Sequence, residues 1–573
     1  MMRKTRWQVA PFHAEAAEQL AQDLRLPRVI ASILVERGLA TPDAAQAFLH
    51  PSVEQLHDPL LMPGMDRAVA RLQRALAARE QILIYGDYDV DGVTSTAMLV
   101  RALSALGAQV NWHIPHRVRD GYGLNQAAIR QVAAAGAKVV LTVDTGISAH
   151  APVALARELG MDVIISDHHE PPPELPDALA ILNPKLPGSP YPFKELAGVG
   201  VAFKLLTALV RAQSPAHEAS MQRRFLDFVA LGTIADVAPL VDENRVLARL
   251  GLEQLQKTRS VGLRALMTVA GLGNRPLNTH DVGFGLGPRL NAGGRLDTAK
   301  HALQLLLTKD DDEARRLATQ LEVINRERQD EEAAIVDEAR ARLGFDFDRR
   351  EFAIVLASPA WHVGVVGIAA SRIVDAYHRP TILLCLEGDE ARGSGRSIEP
   401  FHLYDALAEC KDLLTRFGGH RQAAGMTLPA AAVDEFRRRF AEIAAARLTA
   451  DDLIPTTRVD AELAPAELTE ELLFELERLA PFGLGNPRPV FGLRGVALPK
   501  VSTVGGGKHL KLRVKAGDHH YDAMWWRSGE FLPALENTRR ADLAFTPEFN
   551  DFGGYRAIQL NVRDVQPLGG ALV

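Results

Sequence analysis

The chain has 573 residues, 47% of them hydrophobic, and its 71 Asp and Glu outnumber its 65 Lys and Arg, giving a net charge of −6. An acidic chain is not expected simply to coat nucleic acid, because proteins that do so tend to carry a basic surface. Its first residues lack the apolar core of an export signal, no apolar run approaches the roughly 18 residues of a spanning helix, and Cys385 and Cys410 are the only cysteines. These features favour a cytoplasmic protein of three or four domains, at roughly 150 residues each.

Short apolar runs alternate with helical patterns between residues 81 and 184, as they do in a doubly wound α/β sheet. The runs expected to form strands are 82–86, 109–114, 138–143, 162–166 and 179–183. They are apolar on both faces, which is typical of parallel strands that are covered on both sides. We therefore predict a parallel sheet between two layers of helices.

The following segments differ in character along the chain. Residues 191–307 are rich in Ala and Leu and predict a mostly helical region. Residues 309–343 contain neither Gly nor Pro and alternate acids with Arg, which predicts one exposed helix of about 35 residues, roughly 50 Å long. A second α/β lobe should follow, with strands at 352–358 and 381–386 and helices near 366–376, 403–416 and 430–447.

The sequence after Ala480 alternates apolar and polar residues between Gly-rich turns, which predicts a small β-barrel. Between Arg488 and Arg540, ten Lys and Arg stand against four acids, a local net charge of +6. Trp525 and Trp526 are adjacent, so only one of them can face outward from a strand. Packing of both tryptophans in the barrel is at least as good an explanation of this pair as stacking on DNA bases.

Metal-capable side chains follow three of the predicted strands at their carboxyl ends. They are Asp87, Asp89 and Asp91 in DYDVD, Asp144 in VDTGIS, and Asp167, His168 and His169 in SDHHE. The carboxyl ends of parallel strands meet at one edge of the sheet, where open α/β sheets bind ligands. In an extended chain the three acids of DYDVD would project to one side, so at least two are expected to converge. So many carboxylates would repel one another without cations, and we predict a divalent-metal site.

Two other interpretations of these motifs compete with metal ligation at the sheet edge. DYDVDG matches the first half of an EF-hand loop, but Met98 stands where a bidentate Glu is required, and a strand precedes the loop. Asp144 taken alone is as well explained as the N-cap of the next helix. The other two strand ends favour ligation.

The same motifs carry a family resemblance. GDYDVDG, VDTGIS, SDHHE and GTIADVAPL resemble the four motifs of the DHH phosphoesterase superfamily. LAGVGVAFKL, GPRLNAGGRLDTAKHALQLL, WHVGVVGIAASRI, GSGRS and FGGHRQAAGM resemble, in the same order, the RecJ family of single-strand-specific exonucleases, from about Pro27 to Val565. The resemblance implies a DHH parallel-sheet lobe and a DHHA1 α/β lobe joined by the long helix, with a C-terminal OB-fold barrel.

The resemblance also implies a role for individual residues. Two Mn²⁺ or Mg²⁺ ions are expected on Asp89, Asp91, Asp144, His168 and Asp236. Catalytic roles beside the ions are expected for Asp87, His169 and Arg295, although many relatives outside this branch have His in place of Asp87. The 5′ phosphate and its nucleotide are expected at Arg117, Ser394, Arg396, Gly418, Gly419 and His420. Surface ion pairs or helix caps are the alternative for the arginines, and a tight turn is the alternative for the GGH segment.

The implied function is metal-dependent degradation of single-stranded DNA, 5′→3′, to 5′-mononucleotides in recombination and repair. Single-strand-binding protein and a RecQ-type helicase are candidate partners of a monomeric enzyme. The expected domains are an N-terminal helical extension, the DHH domain, the connecting helix, the DHHA1 domain and the OB-fold, at 1–60, 61–307, 308–345, 346–453 and 454–573. One alternative is a small-substrate DHH phosphodiesterase or oligoribonuclease, but such proteins are usually shorter and lack the basic barrel. The other is a catalytically silent DNA-binding scaffold, which is disfavoured because every motif carboxylate is present.

Overall fold

The computed structural model describes residues 5–116, 121, 123–273, 275–296, 298–344, 351–550 and 556–568. This part of the chain forms two α/β lobes, a long helix shared between them and a closed β-barrel. The predicted fold class is confirmed.

The N-terminal segment leads into the sheet of the first lobe. The segment contains β1 (Arg6–Val9), α1 (Ala14–Leu24), α2 (Arg28–Glu36) and α3 (Pro42–Leu49), then short 3-10 helices at Val53–Gln55 and Pro59–Leu61. The lobe continues with α4 (Met65–Ala78), β2 (Gln81–Gly86), α5 (Val90–Ala105), β3 (Gln109–His113), α6 (Gln126–Ala134), β4 (Val139–Val143), α7 (His150–Glu158), β5 (Asp162–Ser166) and β6 (Ala180–Leu182). All five strands of the predicted sheet are present.

The strands of the first lobe are all parallel, in the order β3-β2-β4-β5-β6. Successive residues of β2 face opposite sides of the sheet. Ile82 and Ile84 pack with α4 and α5 on one side, whereas Leu83 and Tyr85 pack with α6 and α7 on the other. The strand order reverses at β2, which lies between β3 and β4. The carboxyl ends of β2 and β4 therefore flank the switch point at which open α/β sheets bind ligands.

A helical region covers one face of this sheet and leads into the long helix. Its elements are α8 (Gly198–Gln213), a 3-10 helix (Pro215–His217), α9 (Glu218–Ala235), α10 (Asp242–Gln256), α11 (Val261–Val269), a π-helix (Asp281–Leu286), α12 (Gly287–Leu296), α13 (Lys300–Leu307) and α14 (Asp311–Leu343). Asp310 caps α14 by accepting a hydrogen bond from the backbone N–H of Glu313 at 2.7 Å.

The expectation that α14 is simply exposed is wrong, because one of its faces is buried. Leu317 and Leu321 lie in the core of the first lobe, and Ile335 and Ala339 lie in the core of the second lobe. The long helix is thus a structural part of both lobes. Between its charged residues, α14 carries apolar residues at intervals of three and four, which form a stripe along one face of the helix.

The second lobe contains a mixed five-stranded sheet in the order β10-β11-β9-β8-β7. Its elements are β7 (Ile354–Ser358), α15 (Val366–Tyr377), β8 (Thr381–Glu387), β9 (Glu390–Arg396), α16 (Leu403–Glu409), a 3-10 helix (Lys411–Leu413), β10 (Arg416–Gly419), β11 (Ala423–Pro429), a 3-10 helix (Ala430–Ala432) and α17 (Val433–Arg447). The predicted helix at 403–416 is therefore too long. It ends at Glu409, and Arg416 already pairs with Thr427 in the sheet.

The C-terminal module contains a closed barrel of five strands. Its elements are β12 (Thr456–Val459), β13 (Ala461–Glu462), a 3-10 helix (Pro465–Glu467), α18 (Glu470–Arg478), β14 (Phe491–Val504), β15 (His509–Ala516), β16 (His519–Trp525), a 3-10 helix (Gly529–Phe531), α19 (Leu532–Leu535), β17 (Arg540–Asn550) and β18 (Ala557–Pro567). The ring runs β14-β15-β16-β18-β17 and closes from β17 back to β14, which is the OB-fold order.

The N-terminal segment packs against this barrel. Leu20 and Ile30, from α1 and α2, share one core with Leu472 of α18 and with Leu512 and Phe545 of the barrel. Strand β1 pairs in parallel with β12. In the described part of the chain, no helix is both long enough and apolar enough to cross a lipid bilayer.

Candidate metal-binding active site

The first group of predicted ligands follows β2, but not in the conformation expected from the sequence. The strand ends at Gly86 and α5 begins at Val90, so Asp91 lies in the first turn of a helix. Asp89 is the N-cap of α5, and its Oδ1 accepts a hydrogen bond from the N–H of Gly92 at 3.1 Å. The acids converge because the chain turns sharply from strand to helix here. The prediction that they project from one side of an extended strand, at every second residue, is wrong.

Asp144 follows β4 in the left-handed region, at φ +60°. Helix α7 starts only at His150, and its N-cap residue Ala149 makes no side-chain cap. The helix-capping alternative for Asp144 is therefore wrong. Asp is among the few residues that adopt this backbone conformation readily, and it directs the carboxylate to the sheet edge.

The DHH motif after β5 separates a supporting residue from two residues that face the site. Asp167 is fully buried. Its Oδ1 accepts hydrogen bonds from His169 Nδ1 at 2.7 Å and from the backbone N–H of His168 at 2.8 Å, and its Oδ2 accepts one from the N–H of Ile147 at 2.9 Å. Burial lowers the pKa of His169, but the hydrogen bond and charge of Asp167 outweigh it and raise the pKa to about 9. Both oxygens of Asp167, a candidate ligand in the sequence, thus accept hydrogen bonds from the protein, and Asp167 orients His169 instead.

His168 joins the separate strand ends into one cluster. Its Nε2 lies 3.1 Å from Asp144 Oδ1 and 3.9 Å from Asp91 Oδ2, and its Nδ1 lies 3.9 Å from Asp236 Oδ2. Three sets of ligand atoms each lie within 4.8 Å of one another: Asp144, His168 and His169; Asp91, His168 and Asp236; and Asp87, Asp89 and Asp144. The structure therefore brings together all seven predicted residues of the metal centre.

The helices beside the cluster leave room for its carboxylates only because they carry glycine at two positions. The backbone N–H groups of Gly198 and Val199, at the start of α8, donate to the two oxygens of Asp91, each at 2.7 Å. A Cβ at Gly198 would lie 2.9 Å from Asp144 Oδ1, and a Cβ at Gly232 of α9 would lie 3.0 Å from Asp91 Oδ1. Gly198 of GVGVAFKL and Gly232 of LGTIAD are thus explained by close packing around the site.

The electrostatics of the cluster fit divalent cations. Burial and the neighbouring carboxylates raise the pKa of Asp91 and that of Asp236 to about 7, and raise that of Asp144 well above its ordinary value. Asp144 Oδ1 and His168 Nε2 lie 3.1 Å apart and are both buried, but among the described residues neither atom has an aligned hydrogen bond. Buried acceptors and crowded carboxylates are costly unless a cation compensates them. Carboxylate oxygens with one or two imidazoles suit Mn²⁺ and Mg²⁺.

A cavity of about 330 Å³ opens beside the cluster. It is lined by Asp87, Tyr88, Asp89, His169, Ala235, Asp236, Asn291, Gly294 and Arg295. Arg295, predicted to approach the reacting phosphate, lines this cavity, and its Nη1 donates to the carbonyl of Gly364 in the second lobe at 3.4 Å. Asn291, which the sequence analysis did not single out, accepts a hydrogen bond from the N–H of Val90 at 3.1 Å and so holds the DYDVDG turn.

The predicted residues of the second lobe lie on neighbouring strands. Arg396 Nη1 donates to Ser394 Oγ at 2.8 Å, both on β9. Ser394 pairs with Gly425 of β11, and Gly425 pairs in turn with Gly418 of β10. Gly418 therefore lies two strands away from Ser394, at a distance of roughly 10 Å. Gly419 ends β10, and His420 is exposed in the following turn. Arg117 lies outside the residues that the structure describes.

A larger cavity of about 2080 Å³ connects the lobes and the barrel. Its lining includes Asn291 and Arg295 of the first lobe, Arg372 of the second lobe, and Trp525 and Arg527 of the barrel. Trp525 also packs on Phe531, with ring centroids 5.4 Å apart, whereas Trp526 is 51% exposed. Only one of the two tryptophans thus faces outward, as expected.

Comparison with known proteins agrees with this architecture. Residues 81–233 match the model of the DHH family, N-terminal domain, residues 351–446 match the DHHA1 domain, and residues 459–564 match the RecJ OB domain. The chain is 41% identical over 567 residues to the single-stranded-DNA-specific exonuclease RecJ of Bacillus subtilis, covering 98% of this chain and 71% of that protein. It is 37% identical over 562 residues to the Escherichia coli protein of the same name, covering 95% and 96%.

The solved structures agree. The crystal structure of RecJ in complex with Mn²⁺ from Thermus thermophilus superposes with a TM-score of 0.85 at 33% identity, covering 99% of this chain and 80% of that chain. The domain order and the cluster at the switch point define a DHH phosphoesterase. The chain belongs to the RecJ family.

Proposed function

We propose that this chain is a metal-dependent exonuclease that degrades single-stranded DNA from its 5′ end to 5′-mononucleotides, in DNA recombination and repair. The observation that carries the proposal is the cluster of six carboxylate and imidazole side chains around Asp144, open to a cavity that Arg295 also lines. Relatives named as single-stranded-DNA-specific exonucleases match the chain over nearly its full length.

The ligands of two Mn²⁺ or Mg²⁺ ions are proposed to be Asp89, Asp91, Asp144, His168 and Asp236. Ions bound there would activate water and neutralise the charge that develops on the leaving 3′ oxygen. Asp87 completes the set around Asp89 and Asp144. His169, which hydrogen-bonds to Asp167, is proposed to donate a hydrogen bond to the substrate. The guanidinium of Arg295, which lines the same cavity, is proposed to contact the reacting phosphate.

A degradation assay separates this function from its alternatives. In the presence of manganese, single-stranded oligonucleotides labelled at the 5′ end should release a labelled mononucleotide at once, whereas 3′-labelled ones should shorten progressively. Duplexes of the same sequence should resist. A protein active only on dinucleotides or cyclic dinucleotides would be the small-substrate phosphodiesterase, and an inactive protein that binds DNA would be the silent scaffold.

The direction of degradation is proposed to depend on Arg117, Ser394 and Arg396, which would hold a terminal 5′ phosphate, with Gly418, Gly419 and His420 near the first nucleotide. The Nη1 of Arg396 already lies against the hydroxyl of Ser394. A Cβ at Gly367 of α15 would lie 3.0 Å from that hydroxyl, so glycine there leaves the two groups accessible. A terminal phosphate carries one more charge and one more free oxygen than an internal one, which favours a guanidinium pocket.

Arg396→Ala is expected to reduce the preference for 5′-phosphate over 5′-hydroxyl ends, at a cost on the order of 2 kcal/mol, or roughly 30-fold. Competition between the two substrates measures the ratio. Arg392→Ala is the matched control, because Arg392 is exposed on the same strand and pairs with Glu390 at 3.0 Å. A ratio unchanged by Arg396→Ala would show that the end is selected elsewhere.

The barrel is proposed to bind the DNA strand along the outer face of β15. Lys511, Arg513 and Lys515 alternate with buried residues and point outward, and Lys508 is exposed in the preceding turn. Strands two and three of an OB-fold are its usual nucleic-acid surface, and they correspond to β15 and β16 here. Removing everything after Ala480 is a poor test, because the N-terminal helices share the core of the barrel.

Substitution of Lys508, Lys511 and Lys515 by Gln is expected to weaken binding to long single strands and to flatten the salt dependence, by roughly 0.7 in slope per lost phosphate contact. Short oligonucleotides should still be cut at a near-native rate. The control substitutes the exposed Arg67, Arg74 and Arg130 of the first lobe by Gln. Equal slopes in the two proteins would contradict a DNA-binding role of this face.

The protein is proposed to act as a monomer in the cytoplasm, with single-strand-binding protein and a RecQ-type helicase as partners. The family membership supports the partners, and the two buried free cysteines support a reducing compartment. Light scattering of the pure protein tests the monomer. Co-precipitation with each purified partner, with and without DNA, tests the contacts.

A further inference from the structure

The first lobe carries a second cavity, of about 710 Å³, at the far end of the helices that bear the metal ligands. It is lined by four arginines, Arg101 of α5, Arg223 and Arg224 of α9, and Arg259 before α11; we call it the arginine pocket. Arg224 precedes Asp236 by twelve residues, about 18 Å along α9 at 1.5 Å per residue. The arginine pocket is therefore separate from the cavity beside Asp236.

The guanidinium groups of this pocket outnumber its one lining acid, Asp227, whose charge acts on Arg101 without a direct ion pair. Across the described residues, none of these four arginines has a carboxylate oxygen within the 4.0 Å of an ion pair. Nearby arginines behave differently: Arg211 lies 2.7 Å from Glu218. The acid that does line the pocket, Asp227, accepts hydrogen bonds from Thr258 Oγ1 at 2.5 Å and from the N–H of Phe228 at 2.9 Å. The lining is thus strongly cationic.

The floor of the arginine pocket is apolar. It is formed by Leu106, Leu206, Val210, Met221, Phe225 and Phe228. Two of the cations lie over its aromatic rings, with Arg101 Cζ 5.4 Å from the ring centre of Phe228 and Arg224 Cζ 5.9 Å from that of Phe225. Ser220, Gln254 and Ser260 add hydrogen-bonding groups to the lining, and the hydroxyl of Ser260 accepts a hydrogen bond from Arg101 Nη1 at 3.3 Å.

We propose that the arginine pocket binds a nucleoside 5′-phosphate. Several guanidinium groups suit a phosphate dianion through paired hydrogen bonds, and an apolar lining with a few hydrogen-bonding groups suits a nucleobase. The volume lies within the range typical of small-molecule sites and favours a compact ligand over an extended strand. This site goes beyond the proposed nuclease function, since it is distant from the metal cluster and needs no catalysis.

Equilibrium dialysis with radiolabelled dAMP tests the proposal on the full-length protein in EDTA, which prevents metal-dependent binding at the catalytic cluster. The protein carries Arg396→Ala, so that the proposed end-binding residues do not contribute. We expect one dAMP per chain, bound more tightly than inorganic phosphate. Adding Arg224→Gln and Arg259→Gln should weaken dAMP binding at least roughly tenfold, because charged hydrogen bonds are lost.

The matched control adds Arg74→Gln and Arg130→Gln, which removes two exposed charges elsewhere on the same lobe and should leave binding unchanged. Both pairs are exposed, and equal melting temperatures without dAMP would confirm that each variant folds. The proposal is overturned if dAMP does not bind, if both double variants bind it equally, or if inorganic phosphate binds as tightly as dAMP. A short oligonucleotide without terminal phosphate that competes equally would also overturn it, by making the pocket a strand-binding surface.

Discussion

Asp144→Asn and His168→Ala proteins should fold normally and lose at least about a thousandfold in nuclease turnover under saturating manganese. Asp144→Asn removes a negative charge and His168→Ala removes an imidazole, each from a residue that belongs to two sets of the cluster, so both ions would be held less well. Asn is chosen for position 144 because it accepts the left-handed backbone found there, at φ +60°. Loss of activity can then be attributed to the missing charge and not to the backbone.

Turnover on a 5′-phosphorylated single strand, with circular dichroism as the test of folding, measures this effect. Asp66→Asn is the control, because Asp66 is an exposed acid at the start of α4 in the same lobe. Near-native turnover of either folded cluster variant would show that the ions, or the reaction, are located elsewhere.

The second large effect concerns stability without metal. The pKa values of Asp91 and Asp236 are raised from 3.8 to about 7 by burial and neighbouring acids. A carboxyl whose pKa is higher in the folded state contributes stability fully below its unfolded pKa and loses it as the pH rises through its folded pKa. The metal-free protein should therefore lose a few kcal/mol of unfolding free energy between about pH 5 and pH 8.

Manganese should reverse this loss, because it binds the deprotonated carboxylates and so stabilises the folded state most at the higher pH. Urea unfolding at several pH values, with EDTA or with manganese, measures both trends. Asp236→Asn should be more stable than the native chain at pH 8 in EDTA and less stable in manganese. A native protein whose stability in EDTA is constant from pH 5 to pH 8 would contradict the account of the cluster.

Much of the fold could be predicted from the sequence, because it depends on local patterns. Runs apolar on both faces predicted the parallel strands of the first lobe, and the lack of Gly and Pro between residues 309 and 343 predicted α14. The position of the site followed from topology, since the carboxyl ends of parallel strands must share one edge. That is why Asp87, Asp144 and His168 could be grouped although 81 residues separate the first from the last.

Other features were decided by contacts between distant parts of the chain. Asp91 receives two hydrogen bonds from the start of α8, more than 100 residues later, which holds it in place. Asp167 and His169 are only two positions apart in the sequence. Asp167 can orient His169 because the N–H of Ile147, in a distant loop, holds the other oxygen of the Asp167 carboxylate. The apolar stripe of α14 is likewise explained only by the two lobes, whose cores bury it.

The sequence by itself thus determined the order of the elements, the family motifs and the edge of the sheet at which the acids gather. Only the tertiary structure decided that the N-terminal helices complete the core of the barrel and that four arginines from three parts of the chain line one pocket. The physical reason is that periodicity and turn chemistry act over a few residues, whereas burial and charge neutralisation depend on which surfaces meet in the folded chain. The raised pKa of Asp144 is such a property, since burial and the carboxylates of residues elsewhere in the chain cause it.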